Sequence, residues 1–249
     1  MPLPALLVSV RNLADARKAL AGGCDRLDVK EPLKGPLGMA DPAVIADVAA
    51  FCMAAASHVR VSAALGEIHE FQPVDSPFVL PRGVSDIKFG PARLNTAHSW
   101  VEGWRRAVAP LDCGKDRPAG DGVKGRSARV AVAYADWRAA RSLEPHVLLG
   151  RAIEVGADGF LIDTYGKGAG SLLDLISTAE LGRIARDARR AGMTIALAGS
   201  LRLEHLAALV DVRPDIIAVR GAACERGDRS ASVSADCVGR LKAAISELF

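Results

Sequence analysis

Five charged residues stand at or just beyond the points where buried strands should end. Asp28 and Lys30 lie in LDVKEP, Lys88 in DIKFG, and Asp163 and Lys167 in LIDTYGKG. Asp28 and Lys30 are two residues apart, so on a strand both side chains point to the same side. A buried lysine is costly unless it is paired or functional. Lysines gathered at one site also lower one another's pKa, because a second positive charge destabilises the first. A neutral amine is what Schiff-base chemistry with a carbonyl substrate requires, and a neighbouring carboxylate can move protons or hold the remaining ammonium groups. The plainer alternative is a solvated lysine whose stem covers apolar surface. Two lysines and two aspartates ending strands of one closed barrel weigh against that alternative.

A second group of residues suits an oxyanion. LAGSL (Leu197–Leu201) and VRGAACERGDR (Val219–Arg229) follow the last two strands. In barrels the corresponding loops bind phosphate through backbone N–H groups. Gly199, Ser200, Gly221 and Ala222 are small enough to admit an oxyanion, and Arg220 would add charge; simple turn chemistry is the alternative reading. Other motifs fail. GKGAG (Gly166–Gly170) has Gly168 where a P-loop needs Ser or Thr. The five histidines include no HxH or HExxH, and the five cysteines no CxxC, so no metal is expected. His69 could line the mouth of a barrel, although a loop histidine is the plainer reading.

These residues need strands to place them. Runs rich in Val, Ile, Leu and Ala occur at 5–10, 26–30, 59–65, 84–89, 128–134, 159–163, 194–198 and 215–220. They lack polar alternation, as strands buried on both faces do. Helical patterns lie between them, the clearest at 42–57, 97–108, 145–155, 171–191, 203–210 and 235–248. Asp41 before Pro42 starts one helix, while Gly156 and Gly192 stop two others. The 67–83 connection is Pro-rich and should hold only a short helix. Eight such units in 249 residues predict a single α/β domain, a (β/α)8 TIM barrel, with a doubly wound open sheet as the alternative. The polar, Gly-rich stretch 114–127 reads as an insertion on the face away from chemistry.

Composition narrows the partners. Lys and Arg number 32 against 29 Asp and Glu, a balance unlike that of a nucleic-acid binder but compatible with an anionic small substrate. The longest apolar run, 48–56, is far shorter than the ~18 residues of a membrane span. Met1–Val10 lacks a basic leader and reads as a first strand, and odd, unpaired cysteines fit a reducing compartment. A cytoplasmic protein with neither nucleic-acid nor membrane partners is expected.

The segments LLVSV, GGCDRLDVKEPLKGPLG, VSAALGE, DIKFG, VAVAYAD, LIDTYGKG, LAGSL and VRGAAC run nearly the whole chain in order. Together they resemble the (5-formylfuran-3-yl)methyl phosphate synthase family, the aldolase-like enzymes of methanofuran biosynthesis. The resemblance implies a class I aldolase-like barrel, acting without metal or cofactor and as a homo-oligomer. It would join two glyceraldehyde 3-phosphate molecules into one phosphorylated furan aldehyde. It places the Schiff-base lysine at Lys30 beside Asp28, further essential lysines at Lys88 and Lys167, and a second carboxylate at Asp163. The chain departs from the family pattern in the 114–127 insertion and at Tyr165–Gly166.

Overall fold

The computed structural model describes residues 2–56, 58–71, 78–112, 126–166, 168 and 170–249. Its eight strands are β1 (Ala5–Val10), β2 (Arg26–Val29), β3 (Arg60–Glu67), β4 (Val84–Gly90), β5 (Ala128–Tyr134), β6 (Gly159–Asp163), β7 (Thr194–Leu197) and β8 (Ile216–Val219). They pair in parallel in chain order, and β8 closes on β1. Leu7 of β1 stands in register with Arg26 on one side and Ala218 on the other, so the sheet has no free edge. The TIM barrel is therefore the fold, and the open-sheet alternative falls.

Strand alternation sorts the residues into two cores. Leu27 and Val29 of β2, Ile87 and Phe89 of β4, and Phe160 and Ile162 of β6 pack outward against the helices. Leu7, Ala64, Val132, Leu161, Ala196 and Ala218 point inward and fill the barrel. Each fully buried Val, Leu, Ile or Phe contributes roughly 1.5–3 kcal/mol, so the outward set fixes the register of every strand. Once Leu27, Val29, Ile87 and Ile162 face out, Asp28, Lys88 and Asp163 must face in.

The helices are α1 (Leu13–Ala21), α2 (Pro42–Ala55), α3 (Ala97–Val108), α4 (Trp137–Ala140), α5 (Pro145–Glu154), α6 (Leu172–Leu175), α7 (Thr178–Arg190) and α8 (Ala235–Leu248). Asp41 caps α2 by accepting from the Ala43 N–H, and Gly156 and Gly192 take positive φ where α5 and α7 end, as the spacing predicts. Four elements differ from expectation, one of them α4, a four-residue helix that the spacing does not predict. α1 is an additional helix, capped by Asn12, which accepts from the Asp15 N–H. The stretch expected as one helix at 171–191 is two, because Ile176 is extended and the Ser177 hydroxyl caps a new start at Thr178 by accepting from the Glu180 N–H. The 203–210 segment forms two 3-10 turns, each too short to close an α-helical ladder.

Of the polar insertion, Arg126 and Ser127 are described. Arg126 bridges to Asp158 at 2.7 Å, and the Ser127 hydroxyl donates to the Val84 carbonyl, both where strands begin. Residues 114–125, which make up the rest of it, lie outside the described residues.

Candidate active site

The charged strand ends converge. Asp28, 2% exposed, accepts from Lys88 Nζ at 2.7 Å, from the Ser62 hydroxyl at 2.7 Å and from the Ser9 hydroxyl at 3.3 Å. Lys30 follows β2 directly, is buried, and donates from Nζ to the Pro36 carbonyl at 3.2 Å. That carbonyl arrives because the chain after β2 folds back on itself. Glu31 caps a 3-10 turn at Pro32–Lys34, its backbone N–H donates to the Gly38 carbonyl, and Leu37 plugs into the barrel core. A side chain on Gly38 would collide with the Glu31 carbonyl, so the turn demands glycine there. Arg11 clamps the Glu31 carboxylate at 3.2 Å and ties this turn to the end of β1.

A cavity of about 390 Å³ opens over these groups, lined by Asp28, Lys30, Lys88 and Asp163. Gly199, Ser200, Arg220, Gly221 and Ala222 line its other side. Lys167 lies outside the described residues. Ser200 adopts a left-handed conformation, φ 51°, directly after Gly199 at φ 96°. Two successive residues at positive φ turn the backbone sharply beside the cavity.

Comparison with known proteins gives this geometry a lineage. The profile of the 4-HFC-P synthase family matches residues 6–242. The chain belongs to the 4-HFC-P synthase family. The (5-formylfuran-3-yl)methyl phosphate synthase of Methanopyrus kandleri is 35% identical over 232 residues, covering 91% of this chain and 92% of the relative. That of Archaeoglobus fulgidus is 30% identical over 240 residues, covering 96% and 98%. Among solved structures, KGPDC from Streptococcus mutans superposes with a TM-score of 0.61 at 14% identity over the full length of both chains. Thiamine phosphate pyrophosphorylase from Pyrococcus furiosus gives 0.59 at 12%, covering 99% of this chain and 97% of that one. At such identities these two share the fold alone. The chain, like its family, is an enzyme of a small-molecule substrate.

Within this 4-HFC-P synthase family member the electrostatics are uneven. Burial pushes the Lys30 amine below its ordinary value of 10.5. Asp163 and Asp28 oppose that shift, while Lys88 and Arg229 add to it. Burial alone would raise the Asp28 carboxyl, but the ammonium groups of Lys88 and Lys30 and the bonds from Lys88 and Ser62 outweigh it and hold the carboxyl below 3.8. The site thus contains a carboxylate kept ionised and an amine eased toward its neutral form. Among the described residues no cluster of three or more His, Cys, Asp or Glu is arranged to hold a metal ion. His69 sits 3.7 Å from the Glu70 carboxylate and is not part of the cavity wall. No helix of the described structure is long and apolar enough to cross a membrane.

The structure corrects one expectation. Arg220 lines the cavity, but its guanidinium is already spent. It donates to the Asp15 carboxylate at 2.8 Å and to the carbonyls of Ser9, Arg229 and Ala231 at 2.8–3.0 Å. It is a brace that ties the β8 loop to β1 and α1, with no donor pair left for a phosphate.

Outside the cavity wall, the structure holds a buried carboxyl that the sequence does not point to. Glu67, at the end of β3, accepts from the Tyr134 hydroxyl at 2.5 Å and from the Ala92 N–H at 2.8 Å. Burial raises its pKa above 4.5. It reaches Tyr134 because the β3–β4 register shifts between Ala64 and Glu67, where Gly66 has φ 88°. Gly90 leaves the space, since a Cβ there would overlap the Glu67 carboxyl. Strand alternation alone does not reveal such a residue, and the glycine before Glu67 is the available signal.

Proposed function

We propose that this enzyme joins two molecules of glyceraldehyde 3-phosphate through a Schiff base on Lys30 to give (5-formylfuran-3-yl)methyl phosphate, the product for which its relatives are named. The observation that carries the reading is Lys30: a buried amine, depressed toward neutrality, at the floor of a cavity whose opposite wall suits a phosphate. An acid–base pair completes the arrangement, with Asp28 bonded to Lys88 and Asp163 close enough to act on Lys30.

In this reading the Lys30 amine adds to one triose carbonyl and loses water to form an iminium. The iminium draws electrons from the adjacent carbon, whose proton passes to one of the neighbouring carboxylates or amines. The resulting enamine attacks the aldehyde of the second triose. Ring closure, dehydration, elimination of one phosphate and hydrolysis of the iminium complete the furan and free Lys30. The net change releases one phosphate and two waters, with no oxidation or reduction. Aromaticity of the furan drives the sequence forward. One phosphate would rest on the turns at Gly199–Ser200 and Gly221–Ala222, and Ser200→Asp should weaken substrate binding by placing a carboxylate there.

Purified enzyme incubated with glyceraldehyde 3-phosphate should develop furan ultraviolet absorbance. Borohydride added during turnover should inactivate it and leave a reduced triose on Lys30, located by peptide mapping. Lys30→Arg should lose both adduct and product, because a guanidinium stays protonated. An adduct on Lys88 or Lys167 would move the nucleophile, and turnover without any adduct would exclude the Schiff base.

A further inference from the structure

Several arginines line the large cavity, and their hydrogen bonds separate them. Arg220 is spent as a brace. Arg202, Arg226 and Arg240 are exposed, so water already solvates them; Arg202 also lies 3.9 Å from Glu204, and Arg240 bonds the Cys237 sulfur. Arg229 differs from all of these. It is half-buried, yet its guanidinium makes no hydrogen bond or ion pair with any described residue. Burial costs a guanidinium solvation, and an unmatched planar fork facing a polar cavity is what bidentate recognition of a phosphate uses.

Its surroundings place it well. Arg229 lies close enough to Asp163 and Lys30 to interact electrostatically with both. Its Cβ and amide nitrogen lie 3.9 Å from where a side chain on Gly221 would begin, so the residue packs against the turn expected to hold phosphate. The backbone around it is tethered by hydrogen bonds. Arg220 Nε donates to the Arg229 carbonyl at 3.0 Å, and the Asp228 carboxylate accepts from both the N–H and the hydroxyl of Ser230. A tethered backbone carrying an unpaired guanidinium is a preorganised anion receptor.

We infer that Arg229 binds the phosphoryl group of the triose phosphate that condenses on Lys30, and so makes the enzyme select phosphorylated over unphosphorylated aldehydes. The inference rests on the proposed Schiff-base reaction for its substrate, and on the free guanidinium for its site. The alternative is that Arg229 only balances the charge of Asp163.

Two measurements separate these possibilities. Titration calorimetry with inorganic phosphate should show binding to the wild-type enzyme and a loss of about 10- to 100-fold in Arg229→Met, the range of a charge-assisted bidentate contact. Arg202→Met, on the same rim, should bind as the wild type does. Borohydride trapping should then be run with glyceraldehyde 3-phosphate and with glyceraldehyde. Arg229→Met should slow trapping of the phosphorylated aldehyde by a similar factor and leave the unphosphorylated one unchanged. Equal slowing of both aldehydes would mean that Arg229 acts on Lys30 or Asp163 through charge, which overturns the inference. Unchanged phosphate affinity in the folded variant overturns it too. If the wild type forms neither adduct nor furan but binds phosphate through Arg229, the anion site stands and the proposed reaction falls. Arg229→Lys keeps the charge and provides a folded variant for the same comparison; it should recover only part of the affinity.

Discussion

The two ends of the barrel are built from the same strands and similar residue types, but they are wired differently. At the end where strands begin, Arg60 bonds the Asp86 carboxylate through two nitrogens, Arg26 stands 3.8 Å from the same carboxylate, and Arg126 bridges to Asp158. These arginines keep 23–38% of their side chains exposed around a cavity of about 90 Å³. At the mouth, Asp28 and Lys88 are only 3% and 6% exposed, and theirs is a single direct ion pair. Lys30 rests on a carbonyl, and Arg229 on no described partner. Charges paired in contact with water stabilise a fold modestly and do little else. Charges left incompletely paired away from water retain the capacity to act on a ligand, at a cost in stability that the rest of the fold must carry.

The largest expected effect tests the mouth. Lys88→Met strands Asp28 with only hydroxyl donors, and should cost about 3–5 kcal/mol in denaturant unfolding as well as nearly all turnover. The double variant Asp28→Leu with Lys88→Met should recover most of that stability but no activity. If Lys88→Met alone were as stable as the wild type, the mouth would be wired no differently from the opposite end.

A change of pH sharpens the comparison next. Because the Lys30 pKa is lowered in the folded protein, trapping should level off at a pH below 10.5, the ordinary lysine value. Its linkage follows the same direction: stability should rise with pH between the depressed pKa and 10.5, and level off below that pKa, where both states are protonated. Lys30→Met should remove this increment, which denaturant titrations at a series of pH values would measure. A trapping profile centred on 10.5 would contradict the burial argument.

The smallest effect belongs to the opposite end. Arg60→Met should cost no more than about 1 kcal/mol and leave turnover within a few-fold, because its partner Asp86 keeps Arg26 and the Ser85 hydroxyl. A large loss of turnover would mean that the lower cavity, which Lys88 also borders, communicates with the site.

Local chemistry made much of this molecule legible. The β2 alternation of Leu27 and Val29 with Asp28 follows from a period of two, and it sends the carboxylate inward whatever the rest of the chain does. The caps at Asp41, Gly156 and Gly192 are equally local. Where two local signals compete, reading is harder: the helical pattern from 171 to 191 is continuous, yet Ser177 stops and restarts the helix. Glu67 is hidden from such reading because a register shift at Gly66 breaks the alternation on which Asp28, Lys88 and Asp163 depend.

By itself, then, the sequence determined the βα alternation, the inward facing of Asp28, Lys88 and Asp163, the Lys30 position one residue past β2, and membership in a family. All of these depend on neighbours within a few residues or on phrases preserved in order. Only the tertiary structure decided how the charges pair. Arg220 and Arg229 look interchangeable in the sequence, but Asp15 and the Ser9 carbonyl, 205 and 211 residues away, take the guanidinium of the first. The second has no partner among the described residues, because barrel closure brings β1 and β8 together and sets the acceptors of that seam around Arg220.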